Sequence, residues 1–535
     1  MDTIFYHGVV HTMAGRTVSA IAVQGGRIAL TGSDEAALAL RTPDTRCIDL
    51  RGRCVLPGFA DSHMHLLHTA LTAHRLNLSE VRSLEELIEK GRAYAAQNPP
   101  EPGEWIVCYG FDQNRFDIPV LPDGAAAEAI SREHPVILDR VCGHVGAGNR
   151  KALALAGFDE HTRIPGGELD KDPQGRLTGV VREAALDRLR HTIPRLNQRQ
   201  VEQLVLEAGV RMARAGLTSL HSDDLGSEGT DWPVLKAAFQ ALAQREECPV
   251  RLFEEWMAPR PAQLAAVFET GLRSGDGDDW LRLCNVKLLA DGSLGAQTAY
   301  LRQPYQDGPG SRGIPVYTQE ELDEMVALCH SHDLQVACHC IGDGACQQFV
   351  TAVEKAMAAD PKPLCHRVVH CQFGDLALYR HMAALGMGAD VQPAFVPTDC
   401  AIAEERVGDR VRESYAWKTL MECGVLVGGG SDSPVEDFSP LWGIHCAVNR
   451  PGLGGVFGPE QRLSVEQAVR MYTVTPARLS GRQRELGTLE AGKLADLVVL
   501  DRDIFTVPPE EILSLQVEAT MVGGRFSYCR EEGMG

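Results

Sequence analysis

The chain has 535 residues, 44% of them apolar and 23% charged, with a net charge of -20. That composition suits a globular protein with one large domain plus satellites, or three domains, and its acidic balance excludes a nucleic-acid partner, which would need clustered Lys and Arg. No run approaches the roughly 18 apolar residues of a membrane span, so no membrane partner is expected. The opening Met1-Asp2-Thr3-Ile4-Phe5-Tyr6-His7 has no basic stretch followed by an apolar one, so no secretory signal is read. The 16 cysteines then read as reduced core residues of a cytoplasmic protein. The sequence holds no Cys-x-x-Cys pair, which argues against a four-cysteine zinc site.

In chain order, the first ~55 residues read as short strands. Thr3–Thr12, Ala20–Val23 and Arg27–Gly32 are divided by turn signals such as Gly25-Gly26. The last ~50 residues read the same way: Leu494–Asp501 is one strand, and Ala519–Tyr528 carries a Gly523-Gly524 turn. Neither end has the apolar mass for its own core, so both are expected to pair in one small β-sandwich domain, 1–55 with 485–535.

Between them lie eight candidate buried strands. They are Cys54–Leu66, Leu217–Asp223, Val250–Trp256, Leu281–Ala290, Leu334–Cys340, Arg367–Gln372, Met387–Gln392 and Val425–Gly429. Amphipathic stretches such as Val201–Ala215 and Gln319–His332 join them. Strands alternating with helices imply a parallel sheet, and eight units imply a (β/α)8 barrel, an α/β fold, over 56–70 and 200–484. The roughly 150 residues between the first two strands exceed any crossover. Residues 71–199 are therefore expected to form an inserted α/β domain near the barrel mouth. It has its own strands (Trp105–Gly110, Val136–Asp139) and helices (Leu84–Asn98, Val181–His191).

Polar residues recur where the barrel strands end, the place where such folds carry their chemistry. His63 and His65 in Asp61-Ser62-His63-Met64-His65 close the first strand, and an i, i+2 spacing aims both imidazoles to one side. Lys287 sits in the fourth strand, His339 ends the fifth, His370 the sixth and Asp432 the eighth. Each has a plainer reading alone: a core histidine for His370, a helix cap for His339 or Asp432, a lysine paired with Asp291 for Lys287. Cys338 and Cys340 should face away from His339.

Together these residues resemble the amidohydrolase superfamily. The similarity is to amidohydrolase family 3, the YtcJ-like metal-dependent hydrolases related to N-substituted formamide deformylase. It rests on Leu56-Pro57-Gly58-Phe59-Ala60-Asp61-Ser62-His63-Met64-His65, on Asp291-Gly292-Ser293-Leu294-Gly295 and on His339 with its following Ile-Gly-Asp. Gly430-Ser431-Asp432 and Gly487-Thr488-Leu489-Glu490-Ala491-Gly492-Lys493-Leu494-Ala495-Asp496-Leu497 complete it.

The resemblance implies a binuclear metal site, usually zinc. His63, His65 and Asp432 would hold one ion, and His339 and His370 the other. A free ammonium has no lone pair to give a metal, so Lys287 would bridge both as a carbamate formed with carbon dioxide. The implied activity is metal-dependent hydrolysis of a small-molecule amide, formamide, carbamate or cyclic amide by a metal-activated hydroxide, with Asp432 as general base and then acid. A mononuclear heterocycle deaminase, a lactone or ester hydrolase and a non-catalytic binding subunit are the alternatives. Homodimerisation is a family-level expectation.

On the substrate side the insert offers Trp105, Tyr109, Phe111, Asp112, His144 and Asn149. His144 would orient a carbonyl or an oxyanion. The stretch Gly143-His144 to Asn149 matches a family motif, except that Arg150 follows the asparagine. Asp291 and Gln297 would contact substrate from the loop after Lys287, although Gln297 stands where relatives often carry arginine.

Overall fold

The computed structural model describes residues 1–101, 103–142, 144–226, 229–308 and 310–530. They form two compact units, Met1–His68 with Asn197–Gly535, and Thr69–Leu196.

In the first unit eight strands form one all-parallel sheet: β1 (Phe59–Met64), β2 (Leu217–Ser222), β3 (Arg251–Met257), β4 (Leu281–Leu289), β5 (Gln335–Cys340), β6 (Arg367–His370), β7 (Gly388–Val391) and β8 (Leu426–Gly429). They pair in sequence order from β1 to β8. Beyond the ladder, the Asp432 N–H donates to the His63 carbonyl and the His65 N–H to that of Ser433, both at 2.9 Å. These bonds join the two edge strands into a nearly closed barrel. Gly430 permits the approach, since a Cβ there would lie 2.7 Å from the His63 nitrogen and 2.8 Å from its oxygen. The helices between strands start on their own caps. Gln198–Arg214 opens with an Asn197/Gln200 capping box and Gln319–Ser331 with a Thr318/Glu321 box.

The expected first strand, Cys54–Leu66, is two strands. Cys54–Pro57 pairs with Val9–His11 and with Leu497–Leu500, in another sheet. The barrel strand begins only at Phe59. Gly58 separates them, where a Cβ would meet the Thr218 side chain at 2.2 Å. Continuous hydrophobicity hid this break, because both segments are buried. The six-stranded sheet holding Cys54–Pro57 faces a four-stranded sheet that contains Thr3–Tyr6 and Ala20–Gln24. Phe5, Ile21, Val55, Leu497 and Met521 pack in the shared core.

The second unit is a six-stranded mixed sheet in the order Gly167–Lys171, Leu177–Glu183, Val145–Gly148, Val136–Arg140, Ile106–Phe111, Leu76–Asn77. The helix expected over Val181–His191 starts at Ala184, because residues 181–183 finish a strand. No helix among the described residues is long and apolar enough to cross a membrane.

Candidate metal centre

His63, at the end of β1, is fully buried. Its Nε2 lies 2.9 Å from the Lys287 Nζ and 3.4 Å from the Asp432 Oδ1, and its Nδ1 lies 3.3 Å from the Glu255 Oε2. His65 turns its Nδ1 to Asp223 and its Nε2 to the Asp432 Oδ1 at 2.9 Å. His370 directs its Nδ1 to the Gln392 Oε1 at 2.8 Å. His339 is reversed: its Nε2 lies 3.0 Å from the Gly292 carbonyl. A metal-binding imidazole commonly has its second nitrogen held by a carboxylate, amide or carbonyl, which fixes the tautomer. Three rings have such a hydrogen-bonded partner and the His63 Nδ1 lies in ion-pair range of Glu255, which leaves Nε2 of His63, His65 and His370, and Nδ1 of His339, for the centre.

The rings converge. His63 and His65 have centroids 5.3 Å apart, His63 and His370 5.6 Å, and His339 and His370 4.5 Å. Two overlapping groups, His63–His65–Asp223 and His63–His370–Asp432, each bring three ligand atoms within 4.8 Å of one another. An imidazole and carboxylate donor set of this kind fits a zinc-class dication.

The helix-cap readings of two residues fail on geometry. Asp432 caps no helix: Ser439 caps the next one, Pro440–Asn449. The helix after His339 is capped by Gly342 without a side chain. His370 and Asp432 have φ of +71° and +59°, a left-handed conformation that costs non-glycine residues stability and recurs at functional sites. Cys338 and Cys340 are buried, and neither they nor His339 belong to either metal-capable group; His339 joins the cluster through its ring contact with His370.

Lys287 is 1% exposed and pairs with Asp223, its Nζ 3.2 Å from Oδ2. The expected partner, Asp291, is occupied elsewhere. Its carboxylate accepts from the backbone of Ile341 (3.0 Å), Gly342 (2.8 Å) and Tyr300 (2.8 Å). Burial pushes Asp291 up to about 8 despite those donors. It clasps two loops, and its Oδ1 also lies 3.5 Å from the His339 Nε2. Gln297 bonds Asp307 at 3.0 Å, which also receives Arg406.

The electrostatics follow from this crowding. Burial would raise Asp432, yet hydrogen bonds from His63 and His65 hold it well below the usual carboxylate range. Burial would also lower His65, but the charge of Asp223 and its hydrogen bond lift it well above an ordinary imidazole. His339 is pushed down to about 4 by burial, and His370 is lowered by burial and by His339.

Sequence reasoning missed the layer beneath. The wholly buried Arg367 contacts Glu255, lies 3.3 Å from the Asp390 Oδ2 and donates to the His221 Nδ1 at 2.9 Å. Asn285 donates to the Glu255 Oε1 at 2.8 Å. Burial alone would raise Glu255, but Arg367 and His63 outweigh it and hold it below its usual range. The available signal was Glu254-Glu255 inside an apolar strand, since buried charges require partners.

The other predicted contacts belong to the second unit. Phe111 is core, packed with Leu138 and Val136, and the partly buried Trp105 packs against another core cluster. Asn149 is fully buried and caps Arg150–Leu155: its oxygen accepts from the Val136 and Ala152 N–H, and its amide donates to the Ser131 and His134 carbonyls. Phe111 and Asn149 are thus structural, correcting their reading as ligand contacts. Tyr109 is half-buried, and Asp112 pairs with Arg140 at 2.7 Å. His144 is exposed and lies 3.0 Å from Glu183. Gly143 lies outside the described residues.

Comparison with known proteins agrees with this architecture. YtcJ of Bacillus subtilis (strain 168), named as an amidohydrolase, is 32% identical over 541 residues, spanning 99% of both chains. N-substituted formamide deformylase of Arthrobacter pascens is 25% identical over 544 residues, 99% of this chain and 98% of that one. A crystal structure of an uncharacterized metal-dependent hydrolase from Pyrococcus furiosus superposes with a TM-score of 0.79 at 28% identity, covering 94% of this chain and 100% of that one. One from Pyrococcus horikoshii OT3 gives 0.80 at 29% identity, covering 95% and 99%. Residues 46–528 match the amidohydrolase family, so this chain belongs to that family and is a hydrolase of carbon–nitrogen bonds.

Proposed function

We propose that this chain cleaves the C–N bond of a small non-peptide amide, formamide, carbamate or cyclic amide at a binuclear divalent metal centre, with zinc as the metal. One observation carries the reading: four imidazoles from three strand ends converge, three of them hydrogen-bonded from behind and His63 facing Glu255, beside the carboxylate of Asp432. The formamide deformylase and metal-dependent hydrolase relatives support the bond type and the metal dependence.

His63, His65 and Asp432 would hold one ion, and His339 and His370 the other, with Lys287 bridging as a carbamate. Such ions, when bound, make a water molecule more acidic and polarise a carbonyl. Asp432, ionised and at the strand end, takes the proton from the attacking water and returns it to the leaving nitrogen. An amine leaves poorly without that proton, which is why the same carboxylate serves twice.

The Lys287–Asp223 ion pair favours a second reading, in which the lysine stays an ammonium and one ion suffices. Metal analysis of the purified protein, with turnover of a panel of N-substituted formamides and cyclic amides, separates them. The binuclear reading expects about two metals per chain and loss of both a metal and turnover in Lys287→Ala. One metal per chain, with turnover surviving Lys287→Ala, establishes the mononuclear reading instead.

A further inference from the structure

Outside the barrel, a third group of metal-capable side chains stands in the six-stranded sheet: His11, Cys54 and Asp503, whose ligand atoms all lie within 4.8 Å of one another. Three separate parts of the chain supply them. His11 ends the strand Val9–His11, Cys54 starts Cys54–Pro57, and Asp503 follows Leu497–Leu500. The register brings them together: Val9 and Leu500 both pair with Cys54, from opposite sides. His11 lies two residues beyond Val9, so its side chain shares that face of the sheet.

The atoms are arranged as ligands. The His11 Nε2 lies 3.0 Å from the Asp503 Oδ1, and the Cys54 Sγ 3.8 Å from the same oxygen. The His11 Nδ1 is held by the Thr17 Oγ1 at 3.1 Å, and the ring rests edge-on against Phe505 at 4.5 Å. That partner fixes the imidazole with Nε2 toward the thiol and carboxylate, the orientation a metal-binding histidine needs. The Asp503 Oδ1 also accepts the Phe505 N–H at 3.0 Å, and a carboxylate has lone pairs beyond that one. The Cys54 thiol is fully buried, whereas the His11 and Asp503 side chains keep 17% and 15% exposure, which leaves one open side for water.

We propose that His11, Cys54 and Asp503 form a metal site for a zinc-class dication, separate from the barrel centre, that clasps the two ends of the chain. Loss of the Cys54 proton to solvent leaves a thiolate. With the carboxylate of Asp503 it neutralises the dication, and imidazole adds a third, neutral donor. Mixed sulfur, nitrogen and oxygen donors suit zinc and exclude magnesium or calcium. Without a metal, burial and Asp503 push the thiol far above its ordinary range, so Cys54 is no free nucleophile. Neither metal-capable group of the barrel centre contains a cysteine, which makes the two sites distinguishable.

The test is cobalt substitution of the full-length enzyme. Thiolate–cobalt charge transfer absorbs in the near ultraviolet, and an imidazole and carboxylate centre does not produce it. The wild-type protein is expected to show the band. Cys54→Ser is expected to lose it and about one metal per chain, with catalytic turnover unchanged. His11→Gln, at the partly exposed edge, should do the same if the serine variant fails to fold. A wild type without the band, or a band and metal count that survive in both variants, overturns the site and leaves a hydrogen-bonded clasp.

Discussion

On the proposed reading, the chemistry of this site follows from which nitrogen of each histidine faces the centre. Glu255, Asp223, Gln392 and the Gly292 carbonyl stand behind His63, His65, His370 and His339. Removing one such partner weakens metal binding by about 10–100-fold in comparable sites. Gln392→Leu, which keeps the volume and deletes the acceptor, is therefore expected to raise the metal Kd by about that factor. Competition with a calibrated chelator measures it, and an unchanged Kd would remove the supporting role of Gln392. Asp432→Asn keeps the shape and deletes the base, so kcat should fall by about 10²–10⁴. A variant with undiminished kcat would place the proton transfer elsewhere. The candidate histidines stood out in the sequence because each lies at or just past the end of an apolar run. Asp223 and Glu255 were not, because their partners lie dozens of residues away and only the barrel register brings them together.

At the scale of elements, buried charges tie strands to one another. Arg367 on β6 faces Glu255 on β3 and Asp390 on β7. Truncating it strands two carboxylates in the barrel interior, so Arg367→Met is expected to destabilise by about 3–5 kcal/mol. A denaturant midpoint equal to wild type would show the network to be dispensable. A buried histidine relay does similar work at β5. The Val336 N–H donates to the His366 Nδ1, the His366 Nε2 lies 2.9 Å from the His330 Nδ1, and the His330 Nε2 lies 2.6 Å from the Asp360 carbonyl. Burial, and then the charge of His330, push His366 from 6.5 down to about 3. Between those values the unfolded chain holds the extra proton, so this contribution is complete above about pH 6.5 and is lost as pH falls toward 3. The slope is at most about 1.4 kcal/mol per pH unit. Urea unfolding at pH 7 and pH 5 should show a larger loss in the wild type than in His366→Leu, and equal losses would contradict the relay. The strands and helices were legible where periodicity was strong, as in Gln319–Ser331. The break at Gly58 was not, because buried strands of two sheets read as one apolar run.

At the scale of the molecule, the barrel closes where its chemistry sits. The backbone bonds from Asp432 to His63 and from His65 to Ser433 position ligands and complete the cylinder together. Gly430→Ala would force a Cβ against His63, so a loss of about 1–3 kcal/mol with weakened metal binding is expected together. Loss of one without the other, seen by parallel thermal melts and metal analysis, would separate closure from the site. The barrel was legible from eight apolar runs in order. The interior of the insert was less so, since strands such as Gly167–Lys171 are polar and carry little alternation.

The central claim is that the ends of β1, β5, β6 and β8 hold two metals around Lys287. Anomalous diffraction at the metal absorption edge tests it most directly. Two peaks are predicted, one beside the Nε2 atoms of His63 and His65 and the carboxylate of Asp432, the other beside the Nδ1 of His339 and the Nε2 of His370, with carbamate density on Lys287 between them. No peak there, or one peak beside an unmodified Lys287 still paired with Asp223, would contradict it.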